Sequence, residues 1–261
     1  MSKKQIFILQ LAFTLLVCSF LIIPVFLSVL AGITQNFFVG IKSGFTIRWI
    51  VEVLDLYSET IYLSLVIAIT CLIVTLIIGI PAAYVLARIG GRISRFIEET
   101  IVLPVAVPGL AIALSLIILY GGYRDFRSSW YFILVGHVLF TLPFMVRSVL
   151  AVLSSTNFKE LEEGAASLGA PFWTRFLTIV LPNIKSGILA GSLMVFTLSI
   201  GEFNLTWMLH TPMTKTLPVG LADSYASMRL EVASAYTLIF FIMIIPLLLF
   251  MQYLSKDKNK N

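Results

Sequence analysis

The sequence has 261 residues, of which 59% are hydrophobic and 12% charged, and its formal net charge is +5. Together with a mean hydropathy of +1.01, this composition excludes an ordinary soluble globular domain, because so apolar a surface requires lipid. The 18 Lys and Arg residues are spread between long apolar runs and form no basic stripe, so the positive charge does not indicate nucleic-acid binding.

Six apolar stretches follow one another, each of about twenty residues or more, the length that crosses a hydrocarbon core of about 30 Å as a helix. They predict an all-α integral membrane protein with six transmembrane helices in one domain, residues 1–261. The predicted spans cover about residues 6–33, 61–87, 97–120, 130–153, 184–208 and 233–254. Lys3 and Lys4 before the first run leave a cleaved signal peptide as an alternative. An uncleaved span is favoured, because the run is longer than an h-region and has no clear small-x-small cleavage site.

The distribution of basic residues predicts the orientation, since Lys and Arg are retained on the cytoplasmic side. With the N-terminus inside, the inner segments and helix ends hold twelve basic residues and the outer segments hold six. The inner residues are Lys3, Lys4, Arg88, Arg92, Arg95, Arg147, Lys159, Arg175, Lys185, Lys256, Lys258 and Lys260, and the outer residues are Lys42, Arg48, Arg124, Arg127, Lys215 and Arg229. Both termini are therefore predicted to be cytoplasmic.

Two prolines in the third span, Pro104 and Pro108, predict a kinked or partly opened helix, because each removes an N–H and crowds the carbonyl one turn back. Irregular backbone at membrane depth is tolerated where protein or water covers it. This segment is thus a candidate part of a solute pathway, with an ordinary kink as the alternative.

Polar residues in the fourth and fifth spans form a second candidate region. Ser199, Glu202 and Thr206 stand at i, i+3 and i+7, which places them on one helical face. An ionised carboxylate facing lipid is costly, so Glu202 is expected to face the bundle, water or a cation, unless the helix ends earlier and Glu202 meets outside water. For His137 an interhelical hydrogen bond is favoured over a proton relay or a ligand role.

The connection between the fourth and fifth spans, residues 154–185, is predicted to be a short helical projection into the cytoplasm. Asn157 can cap a helix over about 159–168, and Gly169 can end it in a left-handed conformation. Pro171 then starts a second helix, whose apolar stripe consists of Phe172, Phe176, Ile179 and Val180. The alternatives are a solvated hairpin and a docking element for a cytoplasmic partner.

This connection resembles the EAA loop of the permease subunits of binding-protein-dependent ABC importers. The family pattern is E-A-A, three residues, G, nine residues, I-x-L-P. Here the spacing is that of the family, and the corresponding positions are Glu163, Gly164, Ala165, Gly169, Ile179, Leu181 and Pro182. Gly164 departs from it, standing where the first Ala is usual, which loosens the helix by up to about 1 kcal/mol.

The resemblance implies a transport subunit of the bacterial inner membrane that is not itself an enzyme. Its implied partners are two cytoplasmic ATPase subunits, a second permease that is identical or related, and an external solute-binding protein. The sequence contains no G-x-x-x-x-G-K-[ST] phosphate loop, which agrees with ATP hydrolysis on other chains. In such a complex the EAA helix docks on the ATPase, with Glu163 in a polar contact, Ala165 in close packing and Gly169 as the turn.

Two further segments bear on the solute. V-A-V-P-G-L-A-I-A-L at 105–114 and S-I-G-E-F at 199–203 resemble permeases of the polyamine, phosphonate, iron(III), thiamine, sulfate and molybdate group, whereas T-L-P-V-G-L at 216–221 resembles sugar permeases. A cationic solute suits Glu202, so a polyamine such as spermidine or putrescine is the first hypothesis, ahead of phosphonate, iron(III) and thiamine.

Two other functional classes compete with the importer. An ion-gradient-driven secondary transporter is the main alternative, but the six runs show no convincing internal repeat. A membrane-embedded hydrolase needs a nucleophile with a base or a metal motif, and neither His137 nor His210 heads an H-E-x-x-H. Cys18 and Cys71 lack ligand-like spacing and are predicted to be buried packing residues. No catalytic residue, metal site or cofactor is therefore predicted.

Overall fold

The computed structural model describes residues 3–256, so Lys258 and Lys260, two of the basic residues that entered the orientation argument, lie outside it. The described chain is helical, and its extended structure is limited to an isolated antiparallel bridge between Thr34 and Phe45. The helices are α1 (Lys3–Ala31), α2 (Arg48–Ile89), α3 (Gly91–Ala106), α4 (Gly109–Tyr120), α5 (Arg124–Ser128), α6 (Trp130–Ser155), α7 (Phe158–Ser167), α8 (Phe172–Arg175), α9 (Leu181–Asn183), α10 (Lys185–Ile200), α11 (Asn204–Leu209), α12 (Leu217–Ala226) and α13 (Leu230–Lys256). A 3-10 turn covers Gly40–Ser43 and a π-helical turn covers Phe176–Val180. The prediction of an all-α fold is confirmed.

Four of the described helices, α1, α2, α6 and α13, are each long and apolar enough to cross a membrane. Two bent pairs meet the same test when their members are taken together: α3 with α4, at 100°, and the segment Phe172–Asn183 with α10, at 69°. The described residues thus supply four to six candidate spans, and the count of six depends on treating each bent pair as one span.

The third predicted span, 97–120, is opened into two helices, so of the two expected forms, kinked or partly opened, the structure has the second. Helix α3 ends at Ala106, and Val107 is extended, with φ −91° and ψ 134°. Pro108 explains the break, because the ring of a proline disfavours the helical conformation in the residue before it. Helix α4 then begins immediately after Pro108.

The described residues pack as two compact units. The first comprises the chain up to Ser58 together with Gly220–Met243. In it, the Arg229 guanidinium donates to the Tyr57 hydroxyl, over 2.7 Å, and pairs with the Glu52 carboxylate. Of the residues of α1, Ala31 is the buried one. An apolar helix with so little cover needs lipid or another chain around it, and it leaves Cys18 exposed, contrary to prediction.

The second unit, Glu59–Val219 with the chain from Ile244 onward, is organised around α6. Helix α10 packs closely against α6 at two glycines spaced four residues apart. A Cβ added to Gly187 would lie 2.7 Å from the Ser148 carbonyl oxygen, and one added to Gly191 would lie 2.8 Å from the Met145 sulfur. Small residues at this spacing let two helix backbones approach each other within a membrane. Cys71 is buried in this unit, as predicted.

Candidate functional site

Helix α7, the first half of the predicted loop, ends as the sequence predicts. Gly169 adopts φ +83°, a left-handed conformation that glycine enters without a steric penalty. The Gly169 N–H donates to the Ala166 carbonyl over 2.9 Å, and the Ala170 N–H donates to the Ala165 carbonyl over 3.1 Å. These two bonds form a Schellman motif. At the other end, Asn157 occupies the N-cap position but makes no capping hydrogen bond through its side chain.

The second half of the loop is less regular than the sequence predicts. The helix that starts after Pro171 widens into the π-helical turn Phe176–Val180, in which the Leu181 N–H donates to the Phe176 carbonyl five residues back. Pro182 follows directly. Because a proline ring clashes with the carbonyl of the residue four positions before it, a widened turn at this point relieves that contact.

The predicted coupling residues differ in exposure. Glu163, Gly164 and Gly169 are exposed and Ala165 is half-buried, and a Cβ added at Gly164 would meet no atom within 4 Å. In the second half of the loop, Ile179 and Leu181 are half-buried and Pro182 is exposed. Among the predicted coupling residues of α7, Glu163 and Gly164 are therefore the ones most accessible to a partner.

Sequence reasoning missed Glu162, the residue that ties α7 to other helices. Glu162 is 1% exposed. The Tyr84 hydroxyl donates to its carboxylate at 2.7 Å from Oε1 and 3.0 Å from Oε2, and Arg88 Nη1 lies 2.7 Å from Oε2. Arg175 Nη1 lies 3.6 Å from Oε1. We name Glu162, Tyr84, Arg88 and Arg175 the loop ion cluster. A run of acids on a short exposed helix gave no sign that one of them points inward.

The break between α3 and α4 lies beside α11. A Cβ added to Gly109, the residue after Pro108, would lie 3.6 Å from both the Asn204 Cβ and the Leu205 nitrogen. Pro104 is half-buried and Pro108 exposed. The structure thus brings the proline break next to the helix that follows Glu202, so the two candidate regions of the pathway are neighbours.

Ser199, Glu202 and Thr206 do not lie on one continuous helix face, which corrects the prediction for span 184–208. Helix α10 ends at Ile200 and α11 begins at Asn204. The Glu202 carboxylate accepts hydrogen bonds from the Leu205 and Thr206 N–H groups, over 2.9 and 2.8 Å, and from the Thr206 hydroxyl, over 2.9 Å. It therefore caps the short helix α11. Its side chain is 9% exposed, so it does not simply meet outside water either.

His137 of α6 joins these two helices, as predicted for an interhelical hydrogen bond. Its Nδ1 lies 2.8 Å from the Ser199 hydroxyl and its Nε2 lies 2.8 Å from the Thr206 hydroxyl. Since the Thr206 hydroxyl donates its hydrogen to Glu202, it accepts from Nε2–H of His137. In the neutral form of the imidazole, Nδ1 would then accept from the Ser199 hydroxyl. We name His137, Ser199, Glu202 and Thr206 the break cluster.

Helix α11 also fits closely against α6. A Cβ added to Gly136 would lie 2.9 Å from a methyl carbon of Leu209 and closer still to one of Leu205. The Arg127 guanidinium donates to the Leu209 carbonyl over 2.8 Å. Both ends of α11 are thus held by side chains of other segments. Among residues 3–256, no group of three or more His, Cys, Asp or Glu side chains is placed to hold a metal ion.

Comparison with known proteins identifies related sequences over most of the chain. The sequence model of the family described as binding-protein-dependent transport system inner membrane component matches residues 76–260. The putrescine transport system permease protein PotI of Escherichia coli K12 is 31% identical over 234 residues, which are 84% of this chain and 78% of PotI. PhnV of Salmonella typhimurium, provisionally named as a 2-aminoethylphosphonate transport system permease protein, is 25% identical over 235 residues, 89% of this chain and 88% of PhnV.

A solved structure shares the fold. The crystal structure of a bacterial ABC transporter involved in the import of the acidic polysaccharide alginate contains a chain that aligns with 99% of this one. The alignment covers 97% of that chain with a TM-score of 0.74 and 14% sequence identity. At this identity the similarity supports the fold alone.

Proposed function

The chain belongs to the family of binding-protein-dependent transport system inner membrane components, and from this membership we propose that it forms the solute pathway of an ABC importer of the bacterial inner membrane. In this proposal six spans place both termini in the cytoplasm. The chain pairs with a second permease, identical or related, and two cytoplasmic ATPase subunits hydrolyse ATP. An external solute-binding protein delivers the solute.

The shape and exposure of α7 support the coupling role. Glu163 and Gly164 are exposed and Ala165 is half-buried, so a partner can reach this part of the helix, and the Schellman turn at Gly169 fixes where the helix ends. We propose that α7 docks on the ATPase, with Glu163 in a polar contact and Ala165 in close packing. The following segment, with Ile179, Leu181 and Pro182, would carry the movement into α10.

Replacing the exposed acid and the turn glycine tests the coupling role. The double variant Glu163→Ala with Gly169→Ala is expected to lose copurification with the ATPase subunit and to lose solute uptake while still inserting into the membrane. The first change removes the polar contact, and the second forces a residue with a Cβ into φ +83°.

The matched control is Glu160→Ala, which removes an exposed acid of the same helix that has no part in the proposed contact. We expect this control to keep the ATPase. Unchanged ATPase copurification and uptake in the Glu163/Gly169 variant would refute the coupling role.

For the solute we propose a polyamine such as putrescine or spermidine, ahead of a phosphonate, iron(III) or thiamine. Support comes from the putrescine system of PotI, the relative at 31% identity, and from the primary amine that putrescine shares with 2-aminoethylphosphonate. The Glu202 carboxylate is engaged by three donors of α11. In this proposal Pro104, Pro108, Ser199, Glu202 and Thr206 therefore shape the pathway by holding two helix breaks, and Glu202 offers the solute little beyond its negative charge.

Uptake of labelled putrescine by cells that carry the complete transporter tests this choice. We expect uptake that depends on this chain and is competed by spermidine. Competition by 2-aminoethylphosphonate, sulfate or molybdate without competition by spermidine would contradict the polyamine assignment and leave the importer role intact.

A further inference from the structure

The loop ion cluster supports an inference about how α7 is held, and this inference rests on the proposed docking of α7 on an ATPase. We propose that Glu162 is a positioning residue that fixes α7 to the end of α2 and to α8, so that the three segments move as one body. Glu162 is 1% exposed, whereas Glu160 and Glu163 on the same helix are exposed. One acid of the helix thus points inward.

The hydrogen bonds of Glu162 reach two other segments of the chain. Tyr84 and Arg88 come from the last turns of α2, and Arg88 Nη1 donates to the Tyr84 hydroxyl over 2.8 Å as well as facing the carboxylate. Arg175 comes from α8, on the far side of the Gly169 turn. A carboxylate with partners on both sides of a turn restrains that turn, because moving either helix alone breaks a charge-assisted contact.

Aromatic rings surround the cluster. The Tyr84 ring lies 6.2 Å from the ring of Phe158, 6.1 Å from that of Phe172 and 5.4 Å from that of Phe176. These three residues are the first of α7, the first of α8 and the first of the π-helical turn. The carboxylate at the centre of the cluster is 1% exposed, and less water around it strengthens its attraction to the more buried of the two guanidinium groups, that of Arg175.

The charges of the cluster indicate positioning more than stability. Two guanidinium groups face one carboxylate, and within the part of the chain that the structure describes the buried Arg175 Nε makes no hydrogen bond. Well-packed apolar residues usually stabilise a core at least as well as a buried ion pair does. The ion pairs of the cluster can form in only one orientation of α7, the orientation in which Glu163 points outward.

Spin labels at Leu168 and Ile89, in a background where Cys18 and Cys71 are replaced by Ser, test this inference. Both positions are exposed, at the end of α7 and of α2 respectively. In the full-length protein purified with its ATPase, electron paramagnetic resonance is expected to give a narrow distance distribution. Glu162→Gln is expected to broaden it at least about twofold, since a neutral amide no longer holds both guanidinium groups.

Two further variants separate positioning from general loss of structure. Tyr84→Phe removes one hydroxyl and keeps the ring, so it is expected to broaden the distribution to a smaller extent and serves if Glu162→Gln does not fold. Glu160→Gln neutralises an exposed acid of the same helix and is expected to leave the width unchanged. A distribution of wild-type width in both Glu162→Gln and Tyr84→Phe would overturn the proposal.

ATPase copurification, measured on the same samples, keeps this result distinct from the docking proposal. If Glu162→Gln broadens the distribution and the ATPase is retained, the positioning role is supported. If the Glu163/Gly169 double variant retains the ATPase, the docking proposal fails whatever the width of the distribution.

Discussion

Glu162 and Glu202 are both carboxylates covered by protein, and they are held in opposite ways. Glu162 is bound by side chains from α2 and α8, outside its own helix. Glu202 is bound by two N–H groups and a hydroxyl that follow it within four residues. The first carboxylate joins separate segments, whereas the second shapes a local break that His137 then attaches to α6. Removing the first should disconnect helices, and removing the second should loosen one short helix.

The largest effect is expected from Glu162→Ala. This change leaves the Arg175 guanidinium, 17% exposed, without its acid. We expect the free energy of unfolding to fall by about 3 kcal/mol, which is at the lower end of the range for breaking a buried ion pair. The loss is not larger because the Arg88 side chain is 45% exposed and water screens its charge. Unfolding in detergent micelles measures the loss. A variant as stable as wild type would mean that the cluster does not join the segments.

A smaller effect is expected from His137→Leu, which tests the link between the break cluster and α6. The imidazole makes one hydrogen bond each with Ser199 and Thr206. The loss of these two hydrogen bonds inside a buried site is expected to lower the free energy of unfolding by about 2 kcal/mol. The same unfolding measurement applies, and Ile133→Leu, a conservative change at a buried position one turn earlier on α6, is the apolar control. If His137→Leu lowered the free energy of unfolding as much as Glu162→Ala does, the break cluster would join segments as strongly as the loop ion cluster, contrary to our expectation.

Glu202→Gln is expected to affect only α11 and to lower its stability by about 1 kcal/mol. The reason is that the amide nitrogen that replaces one carboxylate oxygen cannot accept a hydrogen bond from a backbone N–H. Hydrogen exchange should therefore quicken at the Leu205 and Thr206 amides and remain unchanged in α7. Faster exchange throughout the second unit would show that Glu202 also joins distant segments.

The smallest effect is expected from Gly164→Ala, and its sign is stabilising. The site is open, and Ala favours a helix over Gly by up to about 1 kcal/mol. The free energy of unfolding should be measured for Gly164→Ala alone and combined with Glu162→Ala. The comparison separates the contribution of helix propensity to the stability of α7 from the contribution of the loop ion cluster. Destabilisation by Gly164→Ala would mean that α7 bends at this residue.

Local chemistry determined which features could be predicted from the sequence. The left-handed Gly169 and the helix start after Pro171 follow from the conformational preferences of one residue, and both were predicted. The family was predicted from the spacing between Glu163 and Pro182 and is confirmed by the matching family. The coupling and pathway roles of the individual residues stay predictions.

Two features of the candidate sites were missed, one because a local cap interrupts the helical period and one because burial depends on distant residues. Periodicity placed Ser199, Glu202 and Thr206 on one helix face, because it does not register that a carboxylate can satisfy the N–H groups of a new helix and so favour a break. The burial of Glu162 depends on a hydrogen bond from Tyr84, which stands 78 positions earlier in the chain. Pro108 predicted a disturbance but not a 100° bend, since the angle depends on what the two halves pack against.

The π-helical turn Phe176–Val180 has a consequence for comparing relatives and for building chimaeras. Each residue of an α-helix turns the chain by about 100°, so one residue more or less shifts every following side chain to another face. A wide turn absorbs such a residue locally. Relatives that differ by one residue between Arg175 and Pro182 can thus keep the same α10 surface, and a gap placed elsewhere in their alignment would misassign it. A chimaera that exchanges coupling loops should carry the whole turn from one parent.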